Sequence, residues 1–174
     1  MHRTEWFKRK FPSINDNGLL PAILERLSGT PLRLESLLHE CREKDFEPVN
    51  DDTWSIKEEA GHLGDLEALW IGRLEDLTLH LPELRTADLT NRQTHEANHN
   101  AASAEDLVKR FSYLRKEFVK RLRAVSDEEL LYSSLHPRLK TPQRIIDLAY
   151  FVAEHDDHHL AAIREKLRDF RLSD

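Results

Sequence analysis

Long apolar runs are missing from this sequence: none approaches the roughly 18 consecutive apolar residues that a membrane span requires. A membrane protein is therefore not expected. Cysteine is almost absent as well, and the single Cys41 excludes an internal disulfide framework and fits a reducing compartment. Five glycines and seven prolines among 174 residues are few, which favours helices over sheets. An excess of basic residues is also lacking. Lysine and arginine total 26 against 32 acidic residues, for a net charge of −6, so nothing electrostatic points to nucleic acid. The opening stretch "MHRTEWFKRKF" has no apolar core of the kind a signal peptide carries. The expected location is the cytoplasm.

What is present is helical periodicity, with no glycine-rich linker and no internal repeat, so residues 1–174 read as a single domain. A first helical pattern runs through "LLPAILERLSG" and is expected to restart at "TPLRLESLLHECREK", with Thr30 as N-cap and Pro31 in first position. Leu34, Leu37, Leu38 and Cys41 form a buried stripe there, so Cys41 reads as a small core residue. A second helix opens at "SIKE", where Ser55 and Glu58 suit a capping box and Trp54 a hydrophobic staple, and runs to Leu81-Pro82. A third is capped by Ser103 and buries Leu107, Phe111, Leu114, Phe118, Leu122 and Val125. "SDEEL" at 126–130 looks like a short capped turn. The fourth is expected from Thr141 and Pro142 to about Phe170. Four amphipathic helices and no credible strand mean an all-α four-helix bundle. The long connection from Pro82 to Ala102 lets helix three run parallel to helix two instead of forming a hairpin.

The stretch "AEHDDHHLAAI" concentrates ionisable residues in an apolar helix. With a turn of ~100° per residue and Ile145 at zero, His159 projects at roughly −40° and His155 at roughly −80°, on the edge of the buried stripe. Their i, i+4 spacing lets two imidazoles converge on one point. The alternative is a half-buried pair satisfied by hydrogen bonds. Asp156 projects near the centre of the apolar stripe, where a carboxylate needs an ionic or hydrogen-bonding partner. It suits a carboxylate bonded to a ligand histidine, or an aspartate at an interface or bundle end. His158 points near −140°, to the surface by this projection, and Asp157 is expected in water. His62 lies at the rim of the second helix's stripe and can reach inward. His95 and His99 share the i, i+4 spacing but lack an apolar stripe. His2, His39, His80 and His136 read as surface or turn histidines.

"WSIKEEAGHLGDLEALW", "TNRQTHEANHN" with the helix after it, and "HPRLKTPQRIIDLAYFVAEHDDHHLAAI" together resemble the DinB/YfiT-like superfamily of four-helix-bundle metalloproteins. The resemblance covers most of the chain. It implies an up-down-down-up bundle in which His62, His155 and His159 hold one divalent ion per chain, zinc or nickel. It also implies chemistry of the family's kinds: thiol-dependent transfer or isomerisation, or metal-dependent hydrolysis.

Three imidazoles on a divalent ion leave a coordination position open, the mark of a catalytic site. Such a position lowers the pKa of water toward ~7 or holds a thiol as thiolate. The first functional expectation is therefore a thiol-dependent S-transferase using a low-molecular-weight thiol against small electrophiles. The second is a metal-dependent hydrolase that activates water, with Asp65 and Asp156 as candidate catalytic bases. The third is a non-enzymatic, stress-associated metal-binding protein. Trp6, Phe7, Phe11, Tyr113, Tyr150 and Phe151 exceed what four stripes can cover, so a homodimer is expected; the alternative is an N-terminal lid folded over the chain's own bundle.

Overall fold

Caps and breakers set most of the element boundaries. The computed structural model describes residues 3–48 and 53–172, and its helices are α1 (Leu20–His39), α2 (Ile56–Asp65), α3 (Glu67–Thr78), α4 (Arg92–Glu96), α5 (Ala104–Arg123) and α6 (Ile145–Leu172). Ser55 and Glu58 form the expected reciprocal box: the Glu58 amide donates to Ser55 Oγ at 3.1 Å, and the Ser55 amide donates to Glu58 Oε2 at 2.7 Å. Ser103 Oγ accepts the Asp106 amide at 3.0 Å and starts α5. α2 and α3 are one bundle helix with a single-residue interruption at Leu66, across which the Leu66 and Trp70 amides still reach the His62 and Leu66 carbonyls at 3.2 and 3.0 Å.

Three expectations need correcting. α1 does not restart at Thr30 but runs through Pro31 without a break. Proline brings no N–H, so the Leu27 carbonyl four residues earlier is left without its helical donor. The Arg115 guanidinium from α5 approaches that carbonyl at 3.4 Å in its place. Strands also exist. Ser133–Leu135 (β1) and Pro142–Arg144 (β2) pair antiparallel, so the fourth bundle helix begins at Ile145 and not at Thr141. Pro142 biases the residue before it toward extended backbone, and Lys140 turns the connecting loop with φ 55°. Finally, Trp54 packs on the His62 ring, centroids 4.7 Å apart, and so contributes to the site more than to a staple.

The bundle is up-down-down-up. Glu67–Arg115 at 2.6 Å and Glu75–Arg121 at 2.7 Å march the same way along α3 and α5, so those helices are parallel. Arg26–Asp157 at 2.6 Å and Arg171–Glu40 at 3.3 Å do the same for α1 and α6. Residues 82–102 make the return that parallel helices require, and they are stitched to β1 by the Leu84 amide on the Leu135 carbonyl at 3.0 Å and the Leu135 amide on the Pro82 carbonyl at 2.9 Å. No described helix is long and apolar enough to cross a membrane.

Two apolar cores result. One holds Leu27, Trp70, Leu74, Phe118, Leu122, Leu148 and Val152, the other Leu34, Leu37, Leu63, Phe111, Leu160 and Ile163. Between them, at one level of the bundle, each long helix contributes a buried polar residue: Thr30, Glu67, Arg115 and Asp156. Arg115 Nη2 donates to Glu67 Oε1 at 2.6 Å and to Asp156 Oδ1 at 3.0 Å, and Thr30 Oγ1 donates to Asp156 Oδ2 at 2.9 Å. One guanidinium serves two carboxylates. Burial therefore pushes the Glu67 carboxyl up to about 6, with Asp156 adding to the rise and Arg115 opposing it.

Candidate metal centre

α6 presents His155 and His159 one turn apart, and α2 presents His62 opposite them; all three are buried. One ligand atom from each lies within 4.8 Å of the others. The ring centroids of His62 are 5.3 Å from His155 and 4.7 Å from His159, and the two Nε2 atoms of His155 and His159 are 3.1 Å apart. The sequence-derived set thus converges.

The surrounding bonds fix which nitrogens face inward. Glu59 Oε2 can only accept, so the His159 proton sits on Nδ1, which donates at 2.6 Å and leaves the Nε2 lone pair free. Burial tends to raise the Glu59 carboxyl, but bonds from His159 and Lys166 outweigh it and hold it down at about 2. Thr94 Oγ1 donates to Asp65 Oδ2 at 2.9 Å, so its oxygen accepts from His62 Nδ1 at 2.9 Å and frees His62 Nε2. Burial, then His159, pushes His62 down to about 3, with Glu59 and Asp65 opposing. Burial, aided by His159 and His62, pushes His155 well below its ordinary value. Neutral imidazoles with inward lone pairs are the form a divalent ion requires. His155 Nδ1 is buried without a partner, so that ring can be satisfied only through Nε2. The donor set fits a metal ion.

Asp65 stands behind this cluster. It accepts from Thr94, from His99 Nε2 at 2.8 Å and from Arg110 at 2.9 Å. Burial works against its ionisation, yet those bonds keep the carboxyl below its ordinary value. Gly61 makes this possible, because a Cβ there would collide with the His99 ring. His99 is thus a buried partner of Asp65, contrary to the exposure expected for it, whereas His95 is exposed. Asp156 is buried as its projection requires, but its partners are Arg115 and Thr30 and no ligand imidazole. It does not line the cavity above the three histidines.

The histidines form the floor of a cavity of about 460 Å³ walled by Trp6, Trp54, Trp70 and Phe151. Two histidines read as peripheral line it. His158 is buried and meets Arg3, and His136 is buried at the start of the β1–β2 loop. The helical projection erred for His158 because the N-terminal segment, which no periodicity captures, covers that side of α6. Trp6 packs tilted against Phe11 at 5.0 Å and edge-on against Phe151 and His155, both at 5.1 Å. The lid alternative therefore describes Trp6 and Phe11, while Phe7 and Tyr113 stay exposed. His2 lies outside the described residues, and His39 and His80 are exposed as expected. Cys41 is remote from this cavity and donates its thiol to the Leu37 carbonyl at 3.4 Å. Burial, then Asp45 and Glu40, pushes that thiol up to about 11.

A four-helix bundle with parallel inner helices and a three-histidine cluster at the floor of an aromatic cavity defines the class. Within that class the chain belongs to the DinB superfamily, whose profile matches residues 24–163. A solved structure described as "YfiT from Bacillus subtilis is a probable metal-dependent hydrolase with an unusual four-helix bundle topology" shares the fold. It superposes with a TM-score of 0.78 at 20% identity over 93% of each chain. No curated protein matches the sequence.

Proposed function

We propose that the chain is a divalent-metal-dependent enzyme, with zinc or nickel at His62, His155 and His159, that joins an intact small thiol through its sulfur to an electrophile. The observation that carries the reading is the state of the acids around three buried, convergent imidazoles. Glu59 is committed to His159 and Lys166, and Asp65 to Thr94, His99 and Arg110. Neither is free to take a proton from substrate, so the nucleophile has to be activated without a carboxylate base. A bound divalent ion supplies that activation, as a Lewis acid that lowers the pKa of a coordinated thiol or water. The chain's own residues do the rest. Glu59 and the Thr94–Asp65 pair hold two imidazoles in one tautomer, and Trp6, Trp54 and Trp70 keep water from the cavity walls. Cys41, with its thiol raised and distant, is no part of the chemistry.

The second reading is hydrolysis, supported by the description of the Bacillus subtilis protein as a probable metal-dependent hydrolase. Metal-loaded protein incubated with cellular thiols and a chromogenic electrophile, and separately with esters and amides, separates the readings. Acceleration only with thiol supports transfer, turnover without thiol supports hydrolysis, and neither supports a non-enzymatic metal-binding role. For the assembly we propose a homodimer that covers exposed Tyr113 and leaves the metal sites facing away from the interface. A single species at monomer mass in sedimentation overturns it.

A further inference from the structure

Buried polar atoms without partners are unevenly distributed. Among the described residues the unpartnered nitrogens are Trp70 Nε1, Arg138 Nη2, His155 Nδ1 and His158 Nδ1, and all four residues line the histidine cavity. The unpartnered oxygens belong to Asn17, Glu67 and Gln143, none of which lines it. Indole and guanidinium nitrogens can only donate. The residues that line the cavity therefore carry buried donors in surplus and acceptors in deficit.

A second, independent mismatch lies at His136. Its Nδ1 accepts the amides of Arg138 and Leu139, both at 3.1 Å, so the ring proton is on Nε2. That Nε2 lies 3.1 Å from Arg73 Nη1, which is also a donor. Two N–H groups face one another with no acceptor between them. Burial, then Arg73 and Arg138, pushes His136 down to about 3, so the ring is neutral and the mismatch is not one of added charge on the imidazole.

The cations here also lack counter-ions. Arg73 is buried, and its fixed partner is the Arg85 carbonyl at 3.1 Å. Asp76, whose charge acts on Arg73, is held by Arg85 at 2.7 Å. Arg138 stacks over Phe7 at 5.2 Å and Phe151 at 6.0 Å, and among the described residues no ion pair engages it. The carboxylates of the cavity wall are committed elsewhere: Glu59 to His159 and Lys166, Asp88 to Thr90 and the Arg92 amide.

We propose that this end of the cavity is a carboxylate subsite, in which Arg73, Arg138 and His136 Nε2–H receive the anionic group of an organic acid whose apolar body lies along Trp70 toward the three histidines. Trp70 bridges the two ends. Arg73 Cζ is 5.6 Å from its ring and His155 5.4 Å on from it, so one small molecule reaches both. A carboxylate offers two in-plane acceptors to guanidinium donors, and the aromatic walls suit a ring or short chain behind it. The assignment names the substrate class for the enzyme proposed above and rests on that reading for its catalytic meaning; its test does not.

Calorimetric titration of the metal-free protein with benzoate and with benzamide reads the subsite directly. Benzoate should bind at least about tenfold more tightly than its neutral isostere, the size of a charge-assisted hydrogen bond. Arg138→Gln should abolish that preference, and Arg138→Lys should keep part of it, with unfolding midpoints recorded to confirm folding. Equal affinity for benzoate and benzamide in the wild type, or an unchanged preference in Arg138→Gln, overturns the subsite. Absence of turnover in the metal-loaded assay leaves this measurement standing and counts against the enzyme reading alone.

Discussion

Two buried polar clusters lie side by side in this bundle, and they are built to opposite rules. In the Glu67–Arg115–Asp156 layer the guanidinium bonds both carboxylates, while Thr30 and the Leu27 carbonyl close the remaining approaches. In the His62–His155–His159 cluster the outward nitrogens of two rings are pinned and the inward ones are left facing each other. The first cluster is hydrogen-bonded from within apart from one Glu67 oxygen, so it sets helix register and needs no visitor. The second is satisfied only by something that is not protein. Buried polarity alone says little about function. The balance of donors and acceptors within it says much more.

The largest effect should come from breaking the saturated layer. Arg115→Ala leaves two buried carboxylates unpaired and should cost about 3–5 kcal/mol of unfolding free energy, measured by urea denaturation. A loss below about 1 kcal/mol, the worth of an exposed pair, would show that the layer does not hold the bundle. Breaking the unsaturated cluster should behave differently. His159→Ala should abolish stoichiometric zinc or nickel binding, read by elemental analysis, while the metal-free protein keeps its unfolding midpoint. Unchanged metal content in both His155→Ala and His159→Ala would remove the metal centre.

Smaller changes sharpen the contrast. Thr94→Val unpins His62 without touching a ligand and should weaken metal affinity ~10–100-fold, measured by competition with a chromogenic chelator. The same loss in Asp156→Asn would mean that the two clusters are coupled after all. The subtlest difference is in their response to acid. His62 has a folded pKa depressed to about 3 from 6.5, so its contribution to stability is present above pH 6.5 and is lost as pH falls toward 3. Glu67 has a folded pKa raised to about 6 from 4.5, so its contribution is full below pH 4.5 and is lost as pH rises through 6. In metal-free protein the two oppose one another between pH 7 and 5. Glu67→Gln removes the offset and should make the loss of stability on acidification steeper; an unchanged slope would contradict the raised carboxyl.

Much of this arrangement is legible in the sequence where periodicity and capping agree. Ser55, Ser103 and the stripes of Leu34, Phe111 and Ile163 give helices and their inner faces, and the Pro82–Ala102 span gives the parallel pair. His155 and His159 follow from their spacing, and His62 from its rim position together with the family resemblance. What was not legible depends on contacts between segments distant in sequence. Thr94 and His99 lie in a stretch with no apolar stripe and are buried only because that stretch folds onto α2. Arg73 is buried by contacts with His136 of the β1–β2 loop and the Arg85 carbonyl, which helical periodicity does not show. Thr30 and Pro31 look like a helix start, and only the partner guanidinium reveals why a proline is tolerated mid-helix. Glu59, three residues before His62, carried a usable signal: an acid on the ligand's own face.

The N-terminal segment has a practical consequence. Arg3 and Trp6 are part of the cavity wall, and Arg3 is tied to Glu165 at 3.1 Å and to His158. A polyhistidine tag fused ahead of them would offer rival imidazoles to the same ion. Metal stoichiometry and ligand affinity are therefore best measured on protein freed of its tag.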